Sequence, residues 1–498
     1  MWFPDLTIAG IDETTKFFLL AWEELFGQKT STTYTPRQND TFSLIAELGI
    51  LAEQGEKDER LSYHLVYVID ELQEFIKNDP VLGTKYPHFK HALQNLDRKE
   101  KPTVIRRLSS AIEAGMKDYE NYVFEHFLET ISTVKSNEKD KILTATRLVA
   151  TRAVQRGLIS EECRLTDAQS LLLLSAQDAG EKLLEQIRQE AANWDCILCI
   201  EGGTSSEIEA LIHGTGFEKL PASLKPAGRD GTNFLEKYKD FFKAIFTVKA
   251  KNYIQAFQKA FSPLKRVLDV ANFKHRSAPF KVLPFICLRS GRDQRFFDLD
   301  VGAYSGIEAQ NNATQSAVKM QRAGVLERLP DRIITTLEQH SVAHATTDPK
   351  VRFVNLWFAL ETLVRYDRHH AIIEEVVNNI TPLIAHRRIN KVIKYLAICL
   401  HNYGFCDSIA NATGWFDKSD SKDIHRNELL LALTGKAGRP VLAELLKITS
   451  PHSLLCNRLF SVYCFLNDSS KLMKELEKSY ERTSWQIQRI YRALLSDN

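Results

Sequence analysis

The stretch RFVNLWFALETLVR, residues 352–365, decides the fold class of the last third of the chain. Its apolar residues recur every three or four positions, the spacing that places side chains on one face of a helix: Phe353, Leu356, Trp357, Leu360 and Val364. Glu361 follows Trp357 by one turn and borders this stripe. A carboxylate at the edge of a buried stripe needs a cation nearby. The sequence therefore predicts a helix in a bundle, with an ion pair at its border.

The last helical pattern of the chain, SYERTSWQIQRIYRALLSDN at residues 479–498, offers that cation. Trp485, Arg489 and Arg492 share one face of this predicted helix. The opposite side is apolar and consists of Ile487, Ile490, Tyr491 and Leu494. We expect the helix to pack by its isoleucine face and to direct both arginines toward a crevice or toward Glu361.

Apolar residues at helical spacing also occur throughout residues 1–195 and 311–498, whereas residues 196–310 contain short β-prone runs as well. DCILCIEGG, APFKVLPFICLRS and RFFDLDVGAY are short β-prone runs, and FLEKYKDFFKAIF and NYIQAFQKAFSPLKRVLDV are typical of amphipathic helices. The predicted fold is therefore mainly α. It comprises an N-terminal helical region (1–195), a small α/β module (196–310) and a C-terminal helical bundle (311–498).

The composition narrows the classes of function. The net charge is only +2, from 65 basic and 63 acidic side chains, so an anionic partner must bind a local patch rather than the overall field. No apolar run approaches the roughly 18 residues of a spanning helix, and the first residues lack the pattern of a secretory signal. Eight cysteines among 498 residues fit reduced thiols better than a disulfide framework. These features predict a cytoplasmic protein with no membrane partner.

Two short motifs have the spacing of metal ligands, and neither predicts a metal site or a cofactor. Cys196 and Cys199 form a C-x-x-C motif in an extended run, where they point to opposite faces, and no second close pair completes a zinc site. We expect two buried structural cysteines. His340 and His344 lie one turn apart on a predicted helix, but no third ligand accompanies them. A metal hydrolase built on these histidines is an alternative that metal analysis would test.

A basic cluster in AHRRINKVIK, residues 385–394, is the candidate for nucleic-acid contact. Its basic side chains are Arg387, Arg388, Lys391 and Lys394. On a helix, positions 387, 391 and 394 share one face, which would form a stripe of phosphate-binding groups. The alternative is an ordinary solvated charged face.

The stretches at 353–363 and 489–492 together resemble the Apea-like branch of the HEPN family, bacterial proteins associated with phage defence. In that branch a helix reading F…LW.ALE.L is followed, much later, by RIYR.RN..VH. Here FVNLWFALETL is similar to the first pattern and RIYR to the start of the second. The resemblance covers about 315–498 and implies a HEPN-like helical bundle.

In the family that this chain resembles, HEPN nucleases cut RNA without a metal through an R-x(4–6)-H motif. The arginine steadies the phosphate while the histidine transfers protons. The resemblance implies an active site shared by two subunits, and hence a homodimer. It also assigns Arg489, Arg492 and Glu361 to the catalytic region.

The chain departs from the family pattern after Arg492. Leu494 and Leu495 stand where arginine and asparagine are expected, and the sequence stops at Asn498, one residue before the histidine position. We therefore expect severely impaired cleavage or none. Arg365 and His370 also satisfy the bare R-x(4–6)-H spacing, but the flanking residues differ from those of the catalytic helix, so a chance match is favoured.

Two functions follow as hypotheses. One is a defence-associated protein of the endoribonuclease lineage, in which the upstream regions recognise a phage or host protein that triggers it. The other is a non-catalytic scaffold that binds RNA or a protein and uses the bundle to dimerise. Cleavage of RNA in the presence of a chelator would distinguish them.

Overall fold

The computed structural model describes a chain that is mainly helical, as the sequence predicts, and that also contains a small antiparallel sheet. The residues described are 11–26, 39–62, 64–133, 138–156, 168–188, 190–221, 229–250, 253–275, 280–290, 297–300, 330–345, 349–364, 372–414, 426–434 and 438–496.

The chain divides into two compact units, and this differs from the predicted succession of three regions. The first unit combines residues 1–155, 163–184 and 329–498, and the second combines 156–162 and 185–328. The N-terminal and C-terminal helices thus belong to one unit. Helical periodicity reports which face of a helix is covered, but not which distant helix covers it.

The helices that precede the sheet are α1 (Glu13–Phe26), α2 (Thr41–Lys57), α3 (Glu59–Ser62), α4 (Leu65–Asn78), α5 (Pro80–Lys85), α6 (Pro87–Gln94), α7 (Pro102–Gly115), α8 (Tyr119–Thr133), α9 (Lys139–Gln155), α10 (Ala168–Leu172) and α11 (Ala176–Arg188). Residues 15–24 of α1 are all buried, so this helix lies in the core rather than at the surface.

The start of α2 is fixed by a capping box. The Asp40 carboxylate accepts a hydrogen bond from the Ser43 amide at 2.8 Å, and the Ser43 hydroxyl accepts one from the Asp40 amide at 3.0 Å. Asp40 also forms an ion pair with Arg152 of α9, and both side chains are buried. These contacts fix α2, which carries Glu47, against α9.

The second unit contains a five-stranded antiparallel sheet in the order β2-β3-β1-β4-β5. Its strands are β1 (Ala192–Glu201), β2 (Glu218–Lys219), β3 (Phe242–Ala250), β4 (Lys281–Ser290) and β5 (Phe297–Asp300). Its helices are α12 (Ser205–Ile212), α13 (Arg229–Lys237) and α14 (Tyr253–His275). The central strand β1 alternates its side chains between two apolar clusters, one on each face of the sheet.

One element of this unit was predicted wrongly. FLEKYKDFFKAIF reads as one amphipathic helix, but the helix ends at Lys237 and β3 begins at Phe242. Within β3, Phe242, Ala244 and Val248 are buried at two-residue and four-residue spacing, which places them on one face of a strand. Pairing with β1 along its length therefore overrides the local helical pattern.

The helices that follow the sheet are α15 (Asp331–Ala345), α16 (Pro349–Val364), α17 (Ile372–Asn402), α18 (Cys406–Thr413), α19 (Arg426–Leu433), α20 (Gly438–Ile448), α21 (Ser453–Leu466) and α22 (Ser469–Ser496). The second half of α17 packs with α19, α20 and α21 around one apolar core, and α22 runs along α17. A hairpin of α15 and α16 joins the same bundle through α17.

Candidate functional site

The tryptophan-bearing helix α16 and the last helix α22 lie against each other in one bundle. Trp357 of α16 shares an apolar cluster with Ile487 and Tyr491 of α22. The Trp357 and Tyr491 rings are 5.6 Å apart between centroids. Trp357 is 7% exposed and Ile487 is 6% exposed, whereas Ile490, predicted on the same apolar face, is 38% exposed. The predicted face of α22 is therefore buried at Ile487 but not at Ile490.

The arginine face of α22 meets the N-terminal helices. Arg489 donates from Nε to both Glu47 carboxylate oxygens at 3.0 Å and from its terminal nitrogens to Glu71. Arg492 donates to Glu47. Glu47 lies on α2 and Glu71 on α4, and nothing in the sequence pattern points to either. The two arginines and two glutamates, Arg489, Arg492, Glu47 and Glu71, are called the terminal-helix ion-pair network below.

The expected ion pair between Glu361 and these arginines is therefore wrong. Glu361 is partly buried on α16, which packs on the Ile487 and Tyr491 side of α22. Arg489 follows Ile487 by two residues, or about 200° around the helix. Its guanidinium consequently points away from α16 and toward α2 and α4.

Because the network is largely buried, the stability of the folded protein depends on each of its charges having a partner. The Glu71 side chain is 2% exposed, and burial raises the pKa of its carboxyl while Arg489 opposes the rise. The side chains of Arg489 and Arg492 are 19% and 13% exposed. Each charge compensates another, so removal of one partner would leave a buried charge unpaired.

His64 lies beside the network as a buried ring. Its Nδ1 is 3.1 Å from Oε1 of Gln488, which is consistent with an Nδ1–H donor, and its ring centroid is 5.9 Å from that of Tyr491. Burial first, and then the positive charge of Arg492, lowers the pKa of His64 to about 4. The ring is consequently neutral at physiological pH.

A cavity of about 400 Å³ adjoins the network. Its polar lining comes from Asn39, Ser43, Glu47, Gln54, Gln155 and Arg492. The buried Nε of Arg492 finds no hydrogen-bond partner among the described residues. The lining thus contains both a carboxylate, Glu47, and a guanidinium, Arg492, so its charge does not favour an anionic ligand.

The basic cluster of α17 is divided between two environments. Arg387 and Lys394 are exposed and Lys391 is partly exposed, along one face of the helix. Burial, followed by the charge of Lys394, lowers the pKa of Lys391 to about 8. Arg388 lies on a different face and is 3.8 Å from Glu475 of α22. Three of the four predicted RNA-binding residues therefore form a stripe, and the fourth turns toward α22.

The Arg388 side chain belongs to a group of arginines that the sequence did not predict as a set. Its members come from four helices and are Arg147 of α9, Arg388 of α17, Arg458 of α21 and Arg482 of α22. Arg458 donates from Nε and a terminal nitrogen to the buried Glu24 of α1, at 3.1 and 2.8 Å.

Of the two motifs with metal-ligand spacing, the cysteine pair lies in the interior of the sheet. Cys196 and Cys199 are fully buried on opposite faces of β1, as predicted, and burial raises the pKa of each thiol to about 12. His340 and His344 both lie in α15. Within the described ranges, no three His, Cys, Asp or Glu side chains gather as metal ligands. Arg365 and His370 lie outside the described residues.

Comparisons with known proteins leave the family open. No protein-family model matches the chain, and searches of curated proteins and of solved structures found no match. Among the described helices, none is long and apolar enough to cross a membrane.

Proposed function

We propose that this chain is a HEPN-lineage protein of bacterial antiviral defence that binds RNA without cutting it. The support is the resemblance of residues 353–363 and 489–492 to the Apea-like branch, together with the contact between the two helices that carry them. In this proposal the protein is cytoplasmic, the bundle forms a homodimer, and a phage or host protein acts as the trigger.

The single observation that carries the non-cutting part of the proposal is the engagement of Arg489 and Arg492. Both guanidiniums already donate to Glu47 or Glu71 in a partly buried network. A phosphate could take their place only if those carboxylates lost their partners, at a cost of about 3–5 kcal/mol for a buried pair. In addition, Leu494 and Leu495 offer no group that could transfer a proton.

The exposed stripe of α17 is the surface that we assign to RNA. Arg387, Lys391 and Lys394 present positive charges along one helix face, about one turn apart. Such groups neutralise backbone phosphates regardless of sequence and release counterions. The stripe therefore supports weak, salt-dependent binding to single-stranded RNA rather than recognition of particular bases.

The stripe can be tested by measuring RNA affinity at several salt concentrations. We expect the triple variant Arg387→Ala, Lys391→Ala, Lys394→Ala to bind a fluorescent single-stranded RNA more weakly. We also expect the slope of log affinity against log salt concentration to decrease in magnitude by about 2, because each phosphate contact on a single strand contributes about 0.7. Fluorescence anisotropy between low and moderate salt provides both quantities.

The matched control removes three exposed positive charges elsewhere: Lys99→Ala, Lys101→Ala, Arg107→Ala. Its affinity should stay close to that of the wild type, because the control changes the net charge equally but not the α17 stripe. Equal losses in the two triple variants would reduce the binding to a general charge effect and would contradict the assignment.

An active nuclease is the second candidate, and the family resemblance is what favours it. Purified protein incubated with total RNA and a chelator should leave the RNA intact if our proposal is correct. Cleavage that persists in chelator and disappears in Arg365→Ala would instead establish metal-independent catalysis at an unconventional position.

The proposed homodimer is supported by apolar side chains on the α15–α16 hairpin. The two helices pack on each other, yet Val351, Val354 and Phe358 of α16 are 48%, 36% and 50% exposed. Ile334 and Leu337 of α15 are 42% and 50% exposed. Large exposed apolar side chains grouped on one hairpin are typical of an interface, and a second copy can cover them symmetrically.

A further inference from the structure

The cavity beside the terminal-helix ion-pair network lies along one face of α2. Ser43, Glu47, Ile50 and Gln54 line it, and their spacing of four, three and four residues places them in a row on that helix. From Ser43 to Gln54 the row rises about 16 Å. The cavity of about 400 Å³ lies within the first unit, and its volume is in the range of sites for small molecules.

Two further walls of the cavity come from helices that are distant in sequence. Gln155 is the last residue of α9, about one turn after Arg152, which forms a buried ion pair with Asp40. Arg492 of α22 forms another wall and donates to Glu47 of α2. Ion pairs therefore hold α2, α9 and α22 around the cavity, so the site is largely formed before a ligand arrives.

Some polar groups of this lining have hydrogen-bonding capacity left for a ligand. The Nε of Arg492 is buried and has no hydrogen-bond partner among the described residues. The carboxamides of Gln54 and Gln155 form no hydrogen bond with the described part of the chain, and each can both donate and accept. A bound molecule can thus accept from Arg492 and exchange hydrogen bonds with two carboxamides. Such a ligand pairs the buried donor that the protein leaves unpaired.

The remaining surface of the cavity is apolar. Ala46, Ile50 and Leu51 belong to it, and Ile50 is 61% exposed although it lies in the row along α2. Apolar side chains beside a few directed polar groups are typical of sites for small organic ligands. Because the carboxylate of Glu47 already accepts from Arg492, the two charges compensate each other, and an uncharged ligand fits the lining better than an ion.

We propose that this cavity binds a purine nucleobase, free or in a nucleoside, and guanine in preference to adenine. A purine ring is planar and uncharged, so its face can lie on the apolar part of the lining. Guanine carries two acceptors, O6 and N7, on the edge that arginine recognises in nucleic acids, which suits Arg492. Its N1–H and N2–H donors suit the side-chain oxygens of Gln54 and Glu47. Adenine has an amino donor in place of O6, so that group cannot accept from Arg492.

Isothermal titration calorimetry with guanosine tests the site in the intact protein. The wild type should bind one equivalent, and adenosine should bind at least about tenfold more weakly. Arg492→Lys keeps a positive charge beside Glu47 but removes the Nε donor, so it should weaken guanosine binding by about tenfold. Gln54→Leu replaces the carboxamide by an apolar group of similar size and should weaken binding by about threefold to tenfold.

A variant that fills the cavity separates the effect of its volume from that of its polar groups. Ala46→Phe removes no polar group, yet it should abolish guanosine binding because the new ring takes the place of the ligand. Guanosine should raise the unfolding temperature of the wild type but not that of Ala46→Phe. Gln94→Leu, at an exposed glutamine of α6, is the matched control for Gln54→Leu and should bind guanosine as the wild type does.

Three results would overturn the site. They are the absence of saturable guanosine binding, equal affinity for guanosine and adenosine, and equal guanosine affinity in the wild type and Ala46→Phe. The site does not depend on the proposed binding of RNA, so the triple variant Arg387→Ala, Lys391→Ala, Lys394→Ala should retain the guanosine affinity of the wild type. Loss of guanosine binding in that variant would place the ligand on the α17 stripe and reject the cavity.

Discussion

His64 illustrates how one side chain reports on the contact between two distant parts of the chain. The ring is 3% exposed, and it lies between Gln488 and Tyr491 of α22 with Arg492 close by. Burial and Arg492 both disfavour the protonated ring, so the folded protein keeps it neutral down to a pH near 4. The unfolded chain protonates the same histidine near its ordinary pKa of about 6.5.

This difference predicts a pH-dependent loss of stability. Between about pH 6.5 and 4 the unfolded state binds more protons at His64 than the folded state does, so the free energy of unfolding decreases as the pH falls. Between pH 7 and pH 5 the wild type should lose about 2 kcal/mol relative to His64→Gln. Urea unfolding of both proteins at pH 7 and pH 5 measures this difference in the free energy of unfolding.

The comparison of the wild type with His64→Gln also controls for the other buried histidine. His452 is also buried, and burial lowers its pKa to about 3, but this residue is present in both proteins and its contribution cancels. Parallel losses of stability in the wild type and in His64→Gln would show that His64 becomes protonated as readily in the folded protein as in the unfolded chain.

The partners of Arg489 are contacts that the sequence alone could not predict. The burial of Ile487 could be predicted because the apolar spacing along α22 is local, although Ile490, predicted on the same face, is exposed. Glu47 and Glu71 could not, since they lie 442 and 418 residues before Arg489 in the chain. A partly buried arginine predicts that a carboxylate is near, but many glutamates satisfy that requirement equally. The choice of Glu361 followed proximity to a stripe rather than the direction of the guanidinium.

The last helix packs against α16 through one of its faces. Two isoleucines that lie three residues apart on this helix allow the packing to be tested. Ile487 is 6% exposed and packs in the cluster of Trp357, whereas Ile490 is 38% exposed. We expect Ile487→Ala to reduce the free energy of unfolding by about 2–4 kcal/mol, because it leaves a cavity. The matched change Ile490→Ala should cost about 1 kcal/mol or less. Chemical denaturation measures both, and similar losses would contradict the packing of α16 on α22.

Helices were predicted more securely than strands for a physical reason. A helix satisfies its backbone within a short segment, so residues 253–275 form the helix that the pattern of NYIQAFQKAFSPLKRVLDV indicates. A strand such as β3 depends on a partner elsewhere in the chain, and the run FKAIFTVKA forms a strand because β1 and β2 pair with it. β1, β4 and β5 were recognisable from their own composition.

The oligomeric state is the property of the assembled protein that the exposed hairpin face predicts. We expect the wild type to sediment at twice the chain mass of 56.9 kDa. Phe358→Glu should sediment as a monomer, because it places a charge in the proposed interface. Phe460→Glu is the matched control, since Phe460 of α21 is 55% exposed and lies outside the α15–α16 hairpin. A monomeric wild type at micromolar concentration, or dissociation caused only by Phe460→Glu, would remove the hairpin as the interface.

The separation in sequence between the halves of the first unit has a consequence for synthesis on the ribosome. Glu71 leaves the ribosome 418 residues before Arg489 does. At about 5–20 residues per second, roughly 20–80 seconds pass between the two. During that interval Glu24, Glu47 and Glu71 have no arginine from the last helices, and the N-terminal helices keep uncovered surface. We therefore expect this contact to form only when translation is nearly complete, so that newly made chains expose the N-terminal side of the contact until then.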